Sequence, residues 1–155
     1  MELQAKVLTV SSGVAAGTRR DTSGEAVADL LRDHGFTVVE RAVVPDGLDP
    51  VAEALRRLAT DFQGLVVTTG GSGFTPDDLT PEATGSVVDR EAPGLAEAMR
   101  AVNPLGRLSR GRAGVVGAAI VVNLPGSAKG AREQLGAIVD VLPHALELAG
   151  GGRPH

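Results

Sequence analysis

A three-layer α/β/α fold around a mostly parallel central sheet is the fold class this sequence predicts, and three observations predict it. Short β-branched runs alternate with segments of helical period, the first three runs are separated by connections long enough to carry a helix, and Gly, Pro or Asp marks the junctions. Strands and helices alternating at these lengths pack as crossovers that leave helices on both faces of a parallel sheet. At 155 residues the chain fits one domain, since chains of this size bury roughly 70% of their unfolded surface. No repeat, low-complexity tract or linker divides it, so residues 1–150 read as the domain and 151–155 as a C-terminal tail.

The elements follow in order. Lys6–Ser11, Phe36–Val44 and Leu65–Thr69 are β-branched runs bounded by Gly, Pro or polar clusters, and read as strands. Between the first two, Thr22 and Glu25 have capping-box spacing, Val27, Leu30 and Leu31 keep helical period, and Gly35 stops the helix. Before the third, Asp49 is placed to cap, Pro50 suits a first turn, and Val51, Leu55 and Leu58 share a face. Thr80 and Pro81 repeat the cap-plus-proline device and predict a helix to about Arg90, with another over Gly94–Val102. The loop NPLGRLSRGR follows, and then two apolar runs, AGVVG and AAIVVNL, that meet at Gly117 as paired strands or as one bent strand. Residues 127–148 have helical pattern, interrupted near Pro143.

Composition narrows the function. The net charge is -4, with 43% hydrophobic and 22% charged residues, the balance of an ordinary soluble globular protein. An acidic chain with no basic run argues against nucleic acid, where phosphate neutralisation supplies most of the affinity. Three Phe with no Trp or Tyr provide no platforms for stacking bases. A purine-like ligand therefore has to lie on aliphatic side chains and backbone. The absence of cysteine excludes disulfides, thiolate nucleophiles and cysteine metal sites. The N-terminal run MELQAKVLTVSSG is too short for a signal peptide or membrane span, so the expected location is cytoplasmic and no membrane partner is expected.

In such sheets ligands bind beyond the carboxyl ends of the strands, near the point where strand order reverses. The loops on that rim carry Asp21, Asp46, Asp77 and Asp78. Gly70, Gly71 and Gly73 allow successive N–H groups to turn inward around an anion, and Ser72 adds a hydroxyl. The helix start at Thr80-Pro81 points a positive dipole end the same way. Carboxylates beside a phosphate cradle repel the ligand unless a divalent cation lies between, and Mg²⁺ is commonly held by one or two carboxylates plus phosphate oxygens. The combination points to a magnesium-nucleotide site, although GxxxxGK[ST] and GxGxxG are both absent. A second turn, NLPGS over Asn123–Ser127, has Ser127 as N-cap and Lys129 in the first turn, and is either a second anion site or a capped turn. Ser109 and Arg110 in LSRGR offer a donor and a cation. His34, His144 and His155 lack ligand-like spacing and are read as structural or solvated.

Five motifs, DTSG (21–24), VPD (44–46), TTGGSGFTPDDLTPEAT (68–84), LSRG (108–111) and NLPGS (123–127), carry a resemblance over nearly the whole chain. In their order and spacing the sequence resembles the molybdopterin adenylyltransferase family of molybdenum cofactor biosynthesis, the MogA/MoaB type also found as the G domain of gephyrin-like proteins. The resemblance implies a homotrimer that uses ATP with Mg²⁺, transfers AMP to the terminal phosphate of molybdopterin and releases pyrophosphate. It implies catalytic and metal-binding roles for Asp46 and Asp78. It implies a nucleotide-phosphate loop at Gly70, Gly71, Ser72 and Gly73, and pterin- and phosphate-side positions at Ser109, Arg110, Asn123, Pro125, Gly126 and Ser127. Hand-over to other molybdenum cofactor enzymes belongs to the same expectation. The alternative is a catalytically weak or inactive paralogue serving as a molybdopterin-binding carrier or scaffold. The chain departs from the family with Ser11-Ser12 where Ser-Asp is frequent, Ser72 for Thr, Ala128 for Pro, and Asp77 where many relatives have arginine. Arg19, Arg20 and Arg110 are the cations placed to compensate for Asp77.

Overall fold

The structure, a computed structural model, describes residues 1–153, so Pro154 and His155, the end of the expected tail, lie outside the described residues. Six strands, β1 (Gln4–Val10), β2 (Thr37–Val44), β3 (Leu65–Thr69), β4 (Arg90–Glu91), β5 (Ala113–Val116) and β6 (Ala119–Leu124), form one sheet in the order β2-β1-β3-β6-β5-β4. The first four in that order run parallel; at one edge β5 pairs antiparallel with β6, and β4 antiparallel with β5. The helices are α1 (Ser12–Ala15), α2 (Thr22–Asp33), α3 (Leu48–Ala59), α4 (Thr80–Val87), α5 (Pro93–Ala101), α6 (Ala128–Gly136) and α7 (Leu142–Ala149).

Alternation along the strands builds two cores. Ala5, Val7, Leu65, Val67, Ile120 and Val122 pack with Leu31 of α2, Met99 of α5, Leu135 of α6 and Leu146 of α7. Leu8, Val10, Val66 and Val121 point the other way, onto Val51, Leu55 and Leu58 of α3 and Ala83 of α4. Leu31 and Leu55 are both completely buried, each contributing about 1.5–3 kcal/mol relative to exposure. The three-layer α/β/α expectation is met, and the two apolar runs at Gly117 are a hairpin, with Val116 paired to Ala119.

Several boundaries differ from the sequence expectation for local reasons. Asp21, not Thr22, caps α2, because its carboxylate accepts from the Gly24 N–H at 3.0 Å. Asp49 is not a cap: α3 starts at Leu48 with Gly47 as N-cap and no side-chain cap bond. Thr80 is already helical, and its hydroxyl serves the neighbouring loop instead. Helix α4 ends at Val87, short of Arg90, because Asp89 and Arg90 pair with Val115 of β5. A 3-10 turn over Pro104–Leu108 occupies the expected loop, and Pro143 sits in the first turn of α7.

The chain leaves β1 to form β2 on one side and returns to form β3 on the other, so strand order reverses at β1/β3. A crevice opens there at the carboxyl ends. All the glycine- and aspartate-bearing loops singled out above lie at that edge, following β1, β2, β3 and β6.

Candidate active site

Beyond Thr69 the chain turns through Gly70 and Gly71 at φ of 103° and 69°. A Cβ on Gly70 would collide with the carbonyl oxygen of Val10, so only glycine passes the end of β1 this closely. The next carbonyls are all engaged from outside. The Thr80 hydroxyl donates to Gly70 O at 3.0 Å and the Thr80 N–H to Gly71 O at 3.0 Å; the Arg110 N–H donates to Ser72 O at 2.8 Å and Arg110 Nε to Gly73 O at 2.7 Å. The N–H groups of Gly71, Ser72 and Gly73 have no hydrogen-bond partner among the described residues. Consecutive unpaired N–H groups form a concave anion site. Gly70 is excluded from it, since its N–H is spent on Leu124 O at 3.1 Å.

Arg110 therefore holds the cradle and does not reach into it, a correction to the expectation of a cation on the ligand side. Besides Gly73 O, its guanidinium donates to Asp78 O at 2.5 Å and to Glu82 at 2.7 and 3.2 Å. The hydrogen bond from Arg110 holds the Glu82 carboxyl below the usual carboxylate range, and the Glu82 partner raises Arg110 in turn. One arginine thus ties the glycine loop, the Asp78 backbone and α4 together.

Of the rim carboxylates, two remain open. Asp46 Oδ2 accepts from the N–H and hydroxyl of Ser12, both at 3.2 Å, and Asp78 Oδ2 accepts from the Thr75 N–H at 3.1 Å. The other oxygen of each has no hydrogen-bond partner among the described residues. Asp21 is consumed: it binds the Thr9 hydroxyl, the Gly24 N–H and Arg41, the last at 2.9 Å. Asp77 sits exposed in the Thr75–Asp78 turn, closed by the Asp78 N–H to Thr75 O at 3.0 Å, and lines no cavity. Its negative charge faces solvent, so it does not oppose an anion in the cradle.

Two cavities adjoin at this edge. The larger, about 530 Å³, is walled by Gly71–Gly73, Ser109, Pro125–Ser127 and an apolar side of Leu105 and Leu108. The smaller, about 200 Å³ at the β1/β3 reversal, is lined by Asp46, Gly70, Ser11, Arg19 and Arg20. Gly71, Asp78 and Gly126 line both. Most residues expected at the site thus converge on two chambers with a shared wall. Ser127 caps α6 through the Gly130 N–H at 3.1 Å, as expected, and still lines the larger chamber.

A family model decides the kinship: the one described as "Probable molybdopterin binding domain" matches residues 6–144. The chain belongs to this family. A molybdopterin adenylyltransferase of Helicobacter pylori is 35% identical over 149 residues, covering 92% of this chain and 85% of the relative. Among solved structures, the molybdopterin biosynthesis enzyme MoaB of Thermus thermophilus superposes with a TM-score of 0.91 at 45% identity, covering 96% of this chain and 97% of that one. The molybdopterin biosynthesis Mog protein of Mycobacterium ulcerans gives 0.86 at 41%, covering 96% and 99%. The family is thus one of molybdenum cofactor biosynthesis, with nucleotidyltransferases among its members.

Within this molybdopterin-binding fold, Asn123 is the other correction. It is fully buried, with Nδ2 donating to the hydroxyls of Thr68 (3.1 Å) and Thr84 (2.9 Å) and Oδ1 accepting from the Arg112 N–H (3.0 Å). With its donors and acceptor spent, it braces β3, α4 and β6 beneath the site and touches no cavity. Residues the motif reading left out of the site include Asn103, Leu105, Glu133 and Gln134 in the larger chamber. Their signal was weak, being scattered over a loop and the last turn of α6. Among the described residues no helix is long and apolar enough to cross a membrane.

Proposed function

We propose that this member of the family acts in molybdenum cofactor biosynthesis by transferring AMP from ATP to molybdopterin. The observation that carries this is the pair of chambers sharing Gly71, Asp78 and Gly126, a layout for two phosphate-bearing ligands meeting end to end. The kinship to proteins named molybdopterin adenylyltransferase supports it. In this reading the pterin occupies the larger chamber and the nucleotide's phosphates run from the Gly71–Gly73 cradle at the shared wall into the smaller.

A terminal phosphate oxygen of the pterin attacks the α-phosphorus of ATP, the bond from that phosphorus to the bridging oxygen breaks, and pyrophosphate leaves. The nucleophile is already ionised, so no strong base is required, and positioning and charge stabilisation carry the rate. The N–H groups of Gly71, Ser72 and Gly73 face the developing charge from a scaffold fixed beforehand by Thr80 and Arg110. Arg19 lines the smaller chamber with no ion-pair partner among the described residues and adds a cation. Asp46 and Asp78 each keep one open carboxylate oxygen and line the same chamber, a hard-oxygen donor set that suits Mg²⁺. Bound there, the ion would neutralise triphosphate charge. The same reading carries a cytoplasmic homotrimer and product hand-over to later molybdenum cofactor enzymes.

Purified protein supplied with Mg-ATP and molybdopterin is expected to release pyrophosphate and form the adenylylated pterin, and Asp78→Ala to abolish both. Pterin binding without pyrophosphate release under any metal condition would sink the transferase reading and favour the carrier.

A further inference from the structure

The end of the larger chamber formed by α6 and the Asn103 turn carries a feature the phosphate chemistry does not use. Gln134 is only 6% exposed, and its amide oxygen is sealed from solvent with no hydrogen-bond partner among the described residues. Buried polar groups in folded proteins are almost always paired, so an orphan in a cavity wall calls for a partner the chain does not supply. The Glu133 carboxylate belongs to a residue lining the same chamber. Asn103 fixes this group: its Oδ1 accepts from the Leu105 N–H at 2.9 Å, which aims Nδ2 at Glu133 Oε2 at 3.0 Å. Glu133 Oε1 has only Lys129 at 4.0 Å, a side chain 84% exposed, and so remains available. Leu105 and Leu108, 72% and 57% exposed, supply aliphatic surface to the same chamber on which a flat ring can lie.

Resting on the adenylyl-transfer reading of this site, we propose that Gln134 and Glu133 select the pterin by its pyrimidinone edge. That edge presents a ring N–H beside an exocyclic amino group, two adjacent donors, for two acceptors of the chamber, the Gln134 amide oxygen and the Glu133 carboxylate. Adenine presents its amino group beside ring nitrogens that only accept, and leaves one protein acceptor facing a lone pair. The Gln134 oxygen has to turn out of the wall towards the chamber to make the contact, and no hydrogen bond holds it back. A site built to hydrogen-bond a ligand rejects the analogue lacking the donor, because its own buried groups then stay unpaired.

The test uses the full chain and two probes, 6-hydroxymethylpterin and Mg-ATP, titrated separately. Gln134→Met fills the same space without the amide. It is expected to weaken pterin binding at least about tenfold, the worth of one buried hydrogen bond to a ligand, and to leave Mg-ATP affinity within about twofold. Its melting temperature is expected to stay level or rise, because an unpaired buried acceptor is removed. Glu133→Gln, which keeps the shape but loses the charge, is expected to weaken the pterin likewise. Unchanged pterin affinity in both variants overturns the proposal, as does loss of Mg-ATP affinity instead, or a wild-type chain that binds no pterin. Weakened pterin binding in the variants, from a wild-type chain that releases no pyrophosphate, upholds the pterin site while the transferase reading fails.

Discussion

Arg110→Ala tests whether the anion cradle is held in shape from outside. The substitution removes the guanidinium bonds to Gly73 O (2.7 Å), Asp78 O (2.5 Å) and both Glu82 oxygens (2.7 and 3.2 Å), and spares the backbone bond to Ser72 O. Charged hydrogen bonds contribute about 1.5–3 kcal/mol each when protected. Here the Arg110 and Glu82 side chains are 35% and 39% exposed, so water replaces part of what is lost. Discounting for that leaves roughly 2–4 kcal/mol in total, or a fall in melting temperature of about 5–15 °C for a chain of this length. Gly73 O and Asp78 O, once released, no longer keep the loop's N–H groups turned inward, so pyrophosphate affinity is expected to fall about tenfold at a temperature where the variant is fully folded. Arg110→Lys, with a point charge in place of the fork, is expected to recover less than half of either loss. Differential scanning fluorimetry and calorimetric titration with pyrophosphate read the two effects separately. An Arg110→Ala chain that melts within about 1 °C of wild type and binds pyrophosphate as well would refute the clamp.

Three further outcomes follow from the same geometry. The Glu82 carboxyl is held low chiefly by the Arg110 hydrogen bond, so its stabilisation is fully present above the ordinary unfolded carboxylate range and disappears as pH falls through the lower folded value; urea unfolding of Glu82→Gln and wild type is expected to differ at pH 7 and to converge in strong acid. Asn123→Ala leaves the Thr68 and Thr84 hydroxyls and the Arg112 N–H short of their partner and is expected to cost about 2–4 kcal/mol in chemical denaturation, with pyrophosphate affinity unchanged while folded. Arg19→Ala is expected to lower the rate of pyrophosphate release about tenfold, while Arg20→Ala, whose cation already pairs with Glu25 at 2.9 Å, stays within about twofold; steady-state kinetics with both variants separates them.

The layer architecture was legible in the sequence because it follows from period. Val51, Leu55 and Leu58 could bury together only as one face of a helix, and all three are completely buried. The two-residue strand at Arg90 was not legible, since it exists only because β5 lies alongside to pair with it. Cap positions were misread by one or two residues at α2 and α3, where several neighbouring polar residues compete and tertiary partners choose among them. Asp21 is selected in this way, since Thr9 and Arg41 already hold its carboxylate beside the helix start.

The site shows the same division more sharply. Glycine and aspartate motifs identified the cradle and the two open carboxylates, because backbone geometry and charge are local properties of a loop. They did not separate residues that touch a ligand from residues that hold those that do. Asn123 and Arg110 stand inside the strongest motifs, yet every polar atom of the Asn123 side chain is spent on protein, and Arg110's guanidinium is spent on Gly73, Asp78 and Glu82. Gln134 stands in no motif, in the last turn of a helix of ordinary pattern, and among the described residues it is the buried polar side chain left with an unpaired atom. A motif marks where the backbone must be unusual, and that requirement is met by bracing residues as much as by contacting ones. Specificity for a ring needs only ordinary side chains on regular elements aimed at one cavity, and that convergence is a property of the fold.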